Sequence, residues 1–125
     1  MLDLSQAHIP GANLFGAHLT GANLDRADLS KSDLIRADLS DAILSGAHLI
    51  RANLGDADLS GAYLIGADLS DATLGGTPRL DGTRVGGANL SDADLRGTTV
   101  TQAQLDQACG TDVKLNPGLT IKPCP

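Results

Sequence analysis

The side chains able to do acid–base, redox or metal chemistry are few in this chain. There are three histidines, two cysteines and fifteen acidic residues, and every acidic residue is Asp. His8, Asp28 and His48 recur at intervals of twenty residues, the one set that could ligate a metal or pass protons if the fold aligned it. A transition-metal site needs three or four ligands converging at ~2 Å. Side chains on a straight outward column of stacked strands stand ~4.8 Å apart and do not converge. The expected role of the set is therefore a solvated polar ladder, with no metal and no cofactor. No nucleophile–base pair and no Gly-rich phosphate loop is readable, so the chain is expected not to be an enzyme. Cys109 and Cys124 lie fifteen residues apart near the C-terminus. They predict a disulfide, worth ~3 kcal/mol through the loop it closes. Two unpaired thiols in a reducing cytosol are the alternative.

The elements that must carry these residues are constrained by composition. The chain is 42% hydrophobic but holds one Phe, one Tyr and no Trp, so Leu and Ala must fill the core. Asp without Glu favours caps and turns over helix interiors, which argues against a helical solenoid. A net charge of −6 excludes the basic footprint of direct nucleic-acid binding. No apolar run approaches the ~20 residues of a membrane span. Met1 leads straight into the repeat, so no leader is visible and a bacterial cytoplasm is the favoured compartment.

One five-residue unit runs along nearly the whole chain. Stepping by five from Leu4 gives Ile9, Leu14, Leu19, Leu24 and so on to Leu74, apolar at every step. Two residues before each stands Ala, with Leu2 and Ser32 as exceptions. A helix would let this stripe drift by ~140° per repeat, and a flat strand would alternate it between faces. Every Leu can be buried only if the chain turns a corner once per repeat and winds into a coil. Ala is then the second inward residue, since anything larger would overpack a thin axis. Gly11, Gly16, Gly21, Gly46, Gly61 and Gly66 fall at the corner, where an unusual φ is needed.

Units such as Ala12-Asn13-Leu14, Ala22-Asn23-Leu24, Ala27-Asp28-Leu29 and Ala67-Asp68-Leu69 resemble the pentapeptide-repeat proteins, over about residues 2–106. The resemblance implies an all-β fold: a right-handed quadrilateral parallel β-helix with four units per coil, about five coils here. It implies a rigid, non-catalytic scaffold or protein-interaction module. It also offers an alternative, since some relatives mimic DNA and bind a type II topoisomerase such as gyrase. A rod of five coils would be roughly 24 Å long, and that length of duplex carries ~14 charges, against six here. The family occurs in bacteria, cyanobacteria and thylakoid lumens, so a periplasm or thylakoid lumen fits if Cys109 and Cys124 are joined.

Stacked by twenty, the outward residues define candidate surfaces. An acidic face combines Asp38, Asp41, Asp58 and Asp81 against Arg79. Phe15 and Ile35 share one column; Ile43, Tyr63 and Ile65 cluster on another face. The partner expected at these surfaces is a protein.

Near Gly75–Leu80 the repeat slips by one residue, which predicts a one-residue bulge around Pro78. On that count Asn89 follows Asp68 in its column and Asp94 follows Thr73. Repeats then continue to residue 106, and 107–125 form a cap and tail, with a short helix or a last partial coil over 102–108. No cap is evident at the N-terminus, so the chain is expected to be a monomer or an end-to-end homodimer.

Overall fold

The computed structural model describes residues 1–75 and 85–125. Backbone pairing recurs every twenty residues: Asp3 with Asn23, His8 with Asp28, Asn13 with Asp33 and His18 with Asp38, all parallel. These pairings define four walls, A to D, named in that order. Each wall is one pentapeptide wide and gives one bridging residue per coil. Leu4 N–H donates to the Asn23 carbonyl at 2.7 Å, and Asn23 N–H donates to that of Leu2 at 2.8 Å. The ladder therefore runs along the axis of the coil, between stacked turns.

Between walls the chain makes a tight turn. Ala7 N–H returns to the Leu4 carbonyl at 3.1 Å, and Ala12 N–H returns to that of Ile9 at 3.2 Å. The third residue of each turn has a positive φ, as in Gly11 at 69° and Gly21 at 65°. Arg26, Lys31 and Asp41 occupy the same place at 57°, 60° and 57°. An L residue there costs on the order of 1 kcal/mol, and the inward Leu and Ala on either side hold the corner regardless.

The interior is the expected Leu–Ala axis. From Leu24 to Leu74 every inward Leu is at most 1% exposed. Leu4, Ile9 and Leu14 are only partly buried, because their coil is covered on one side alone. Ser32 replaces Ala at full burial, and its hydroxyl donates to the Leu29 carbonyl at 2.5 Å. Thr98 does the same toward Leu95 at 2.7 Å. Both substitutes are small, and both satisfy their hydroxyl within their own turn.

The register beyond the slip differs from the sequence count. Tyr63 pairs with Asn89 and Asp68 with Asp94, intervals of 26 instead of twenty. Asn89 therefore belongs to wall A beneath Tyr63, and Asp94 to wall B beneath Asp68. The net added length is six residues, one whole unit more than a single-residue slip. A shift of one and a shift of six leave the inward phase unchanged, so the Leu pattern cannot distinguish them. The bulge expected at 75–80 lies, from residue 76 on, outside the described residues.

At the C-terminal end Val100 and Leu105 remain inward, and helix α1 (Gln102–Leu105) replaces a pentapeptide corner. Thr101 and Gln104 form a reciprocal capping box at its start. Cys109 and Lys114 then pair with Asn89 and Asp94, so the ladder continues past residue 106. The last segment folds back over the final coil. Asn116 accepts from Gly97 N–H at 2.7 Å and donates to the Thr98 carbonyl at 3.0 Å. Gln102 and Thr120 exchange two bonds of 2.8 and 3.0 Å. Val113, Leu115, Leu119 and Ile121 pack on the core. Cys109 and Cys124 are joined as a disulfide.

Candidate functional site

The Asp and Asn of the walls have a local task. In each, one side-chain oxygen accepts the backbone N–H two residues on. Ser30 donates to Asp28 at 3.1 Å, Ser40 to Asp38 at 3.1 Å, Ser60 to Asp58 at 2.9 Å and Ser70 to Asp68 at 3.0 Å. Ser40 and Ser70 add a hydroxyl bond of 2.6 Å to the same oxygen. This is an Asx turn, which satisfies the exposed corner amide that the ladder leaves over. The recurring Asp-Leu-Ser triplets at 28–30, 38–40, 58–60 and 68–70 are its sequence signal. For Asp28 the spacing predicts a place in a solvated polar ladder, and the turn bond is a further role.

The bonds also shift the carboxyls. The Ser30 hydroxyl and amide hold Asp28 below the ordinary carboxylate range, with smaller help from His8 and His48. The Ser40 hydroxyl and amide do the same for Asp38. Arg96 lowers Asp94 through two side-chain bonds of 3.0 and 2.8 Å.

Against this background the expected surfaces separate. Asp38 and Asp58 share wall D, half-buried and turned into their own corners. Asp41 sits at a corner with its side chain exposed. Asp81 and Arg79 lie outside the described residues, so the acidic face is described only for its other three members. On wall B, His8 Nδ1 stands 3.0 Å from Asp28 Oδ2, yet the His8 side chain is 78% exposed. Among the described residues no cluster of three or more His, Cys or Asp could hold a metal ion.

Phe15 and Ile35 follow one another on wall C, Phe15 exposed and Ile35 half-buried. Below Ile35 a shallow depression of about 370 Å³ opens over Asn53, Gly55, Thr73, Gly75 and Thr99. Ile43, Tyr63 and Ile65 come together on wall A. Ile43 and Tyr63 are directly paired, and Ile65 stands two residues further along the same wall. Tyr63 is 51% and Ile65 40% exposed. Both Ile43 and Tyr63 occupy the place where neighbouring coils carry Asn23 and Asn89. Neither side chain can accept the corner amide, so the Ser45 and Ile65 N–H groups forgo the bond that those of Asp25 and Ser91 donate to Asn23 and Asn89 at 3.0 and 3.1 Å.

The geometry defines a non-globular class of protein, a four-walled coil of five-residue units with a Leu–Ala axis. The sequence profile of pentapeptide repeats matches at residues 11–46, 42–77 and 79–109, with eight copies. The chain belongs to the pentapeptide-repeat family, whose fold is the right-handed quadrilateral β-helix. It is similar to a crystallised pentapeptide-repeat protein from Nostoc PCC 7120, at 30% identity and a TM-score of 0.69. That alignment covers 91% of this chain and 84% of the other. It is also similar to a pentapeptide-repeat protein of the Arabidopsis thaliana thylakoid lumen, at 30% identity and a TM-score of 0.52, covering 89% and 79%. No curated protein matches the chain. Among the described residues no helix is long and apolar enough to cross a membrane.

Proposed function

We propose that this protein is a rigid, non-catalytic scaffold of about five coils that binds a protein partner through its walls. One observation carries the reading. Each Asp and Asn of the walls has one side-chain oxygen bonded to the amide of its own corner, as in Asp28, Asp38 and Asp68. What remains for recognition is a set of flat walls, distinguished from one another by a few side chains that break the pattern. The immobilised protein should retain one partner at fixed stoichiometry, and the purified pair should re-form a complex of defined mass. Failure to reconstitute any complex would sink the scaffold reading.

The topoisomerase alternative ranks second. A DNA mimic needs carboxylates displayed at phosphate-like density, whereas Asp38 and Asp58 are half-buried and bonded to Ser40 and Ser60. Purified protein is expected to leave gyrase supercoiling unchanged; inhibition would reverse the ranking.

A further inference from the structure

The wall A cluster has a chemistry that specifies its occupant. Its centre is apolar, with Ile43 and Tyr63 in consecutive coils and Ile65 beside them. Gly46 and Gly66 form the corner on one side and Gly61 and Gly87 that on the other, all at positive φ. The Asp41 side chain reaches across Gly61 and the Arg26 side chain lies against Gly46, whereas the Gly66 corner is open, so the apolar centre is bordered at its corners by these two side chains. The charged side chains nearest to it are corner residues. Asp41 precedes Ile43, and Asp92 follows Asn89 one coil below. Both are exposed and neither has an ion-pair partner among the described residues. Among the described residues the cation bordering the centre is Arg26, which faces Asp25 at 3.7 Å. The platform also presents the Ser45 and Ile65 amides without the side-chain acceptor that the corners after Asp and Asn have.

An apolar centre between unpaired carboxylates fits a segment that is apolar on one face and cationic at its edges. The net charge of −6 would steer such a segment toward the rod. We propose that wall A of this protein, at Ile43, Tyr63 and Ile65, is the docking face for a basic amphipathic segment of a partner protein. The proposal rests on the scaffold reading and deepens it. If no partner exists the scaffold reading fails; if a partner binds elsewhere only this one does.

Tyr63 is the sole Tyr in a chain without Trp, so its emission reports on the platform directly. The probe is a helical peptide of Leu and Lys alone, with Leu on one face. Titrated into the full chain, it should change Tyr63 emission saturably. A peptide with Glu for Lys, and one with Lys but no Leu, should not. Ile65→Ser should weaken binding about tenfold through lost apolar contact. The double variant D41N/D92N should weaken it roughly three- to tenfold and flatten its salt dependence. Asn tolerates the corner backbone, and a thermal melt verifies that both variants fold. Phe15→Ser should leave binding unchanged. Equal response to the acidic peptide, no saturable response, or sensitivity to Phe15 and not to Ile65 would overturn the proposal. So would light scattering that shows the unliganded chain pairing with a second copy through Ile65.

Discussion

The Asx turn is the unit from which the walls are built, and it makes the acidic composition intelligible. Asp38 binds both the amide and the hydroxyl of Ser40, at 3.1 and 2.6 Å. Asp38→Ala should therefore cost about 1–2 kcal/mol in urea denaturation, while Asp38→Asn, which keeps an acceptor oxygen, should cost less than half of that. Equal losses would mean that charge, not the turn bond, is what matters. The carboxyls of Asp3, Asp28, Asp38 and Asp94 are all held below their ordinary range, chiefly by hydrogen bonds from Ser5, Ser30, Ser40 and Arg96. A depressed folded value means these groups add stability above the unfolded carboxyl value of about 4, lost as pH falls through the lower folded values. The urea midpoint should accordingly hold near neutral pH and drop below about pH 4. A flat midpoint down to pH 2 would contradict the assignment.

At the scale of the coil, stability comes from repetition of one thin layer. Leu44 is fully buried between a coil above and a coil below, whereas Leu14 is only partly buried. Leu44→Ala should cost about 3–4 kcal/mol and Leu14→Ala clearly less, because only the first leaves a closed cavity. Unfolding in urea would measure both. Corners respond to different physics. The Asp41 carboxylate lies across Gly61, whose φ is +68°. Gly61→Ala places a methyl in the left-handed region and against that carboxylate, and should lower stability by about 1 kcal/mol. The Asp side chain can swing aside, so the backbone is the larger part of this cost.

At the scale of the whole stack, the C-terminal segment covers the final coil. The disulfide between Cys109 and Cys124 ties the returning segment to wall A, and closes a loop of fifteen residues. Reduction should remove about 3 kcal/mol in the chain-entropy account. The Gln102–Thr120 and Asn116 bonds and the packing of Leu119 and Ile121 should hold the segment in place without it. Thermal melts with and without reductant, together with a C109S/C124S variant, would show a lower midpoint with an unchanged far-UV spectrum. Loss of the β signal on reduction would instead make the disulfide a condition of folding.

Much of this was legible in the sequence because the repeat states its inward residues one by one. Leu24, Ala27, Ser32 and Thr98 are buried in the phase that a step of five dictates. The corner glycines lie where an unusual φ was required, and the cysteine pair closes as its placement indicated. Two things needed the folded chain. The role of Asp28, Asp38 and Asp68 lay in a bond to the residue two places on, and an outward column says nothing about which way an oxygen turns. The wall to which Asn89 belongs was the other. Burial depends only on phase within five residues, so one added residue and six serve the core equally well. The walls are equivalent to the core and differ only in which strands lie next to them. Backbone pairing of Tyr63 with Asn89 decides that difference, and with it what surrounds the platform at Ile43, Tyr63 and Ile65.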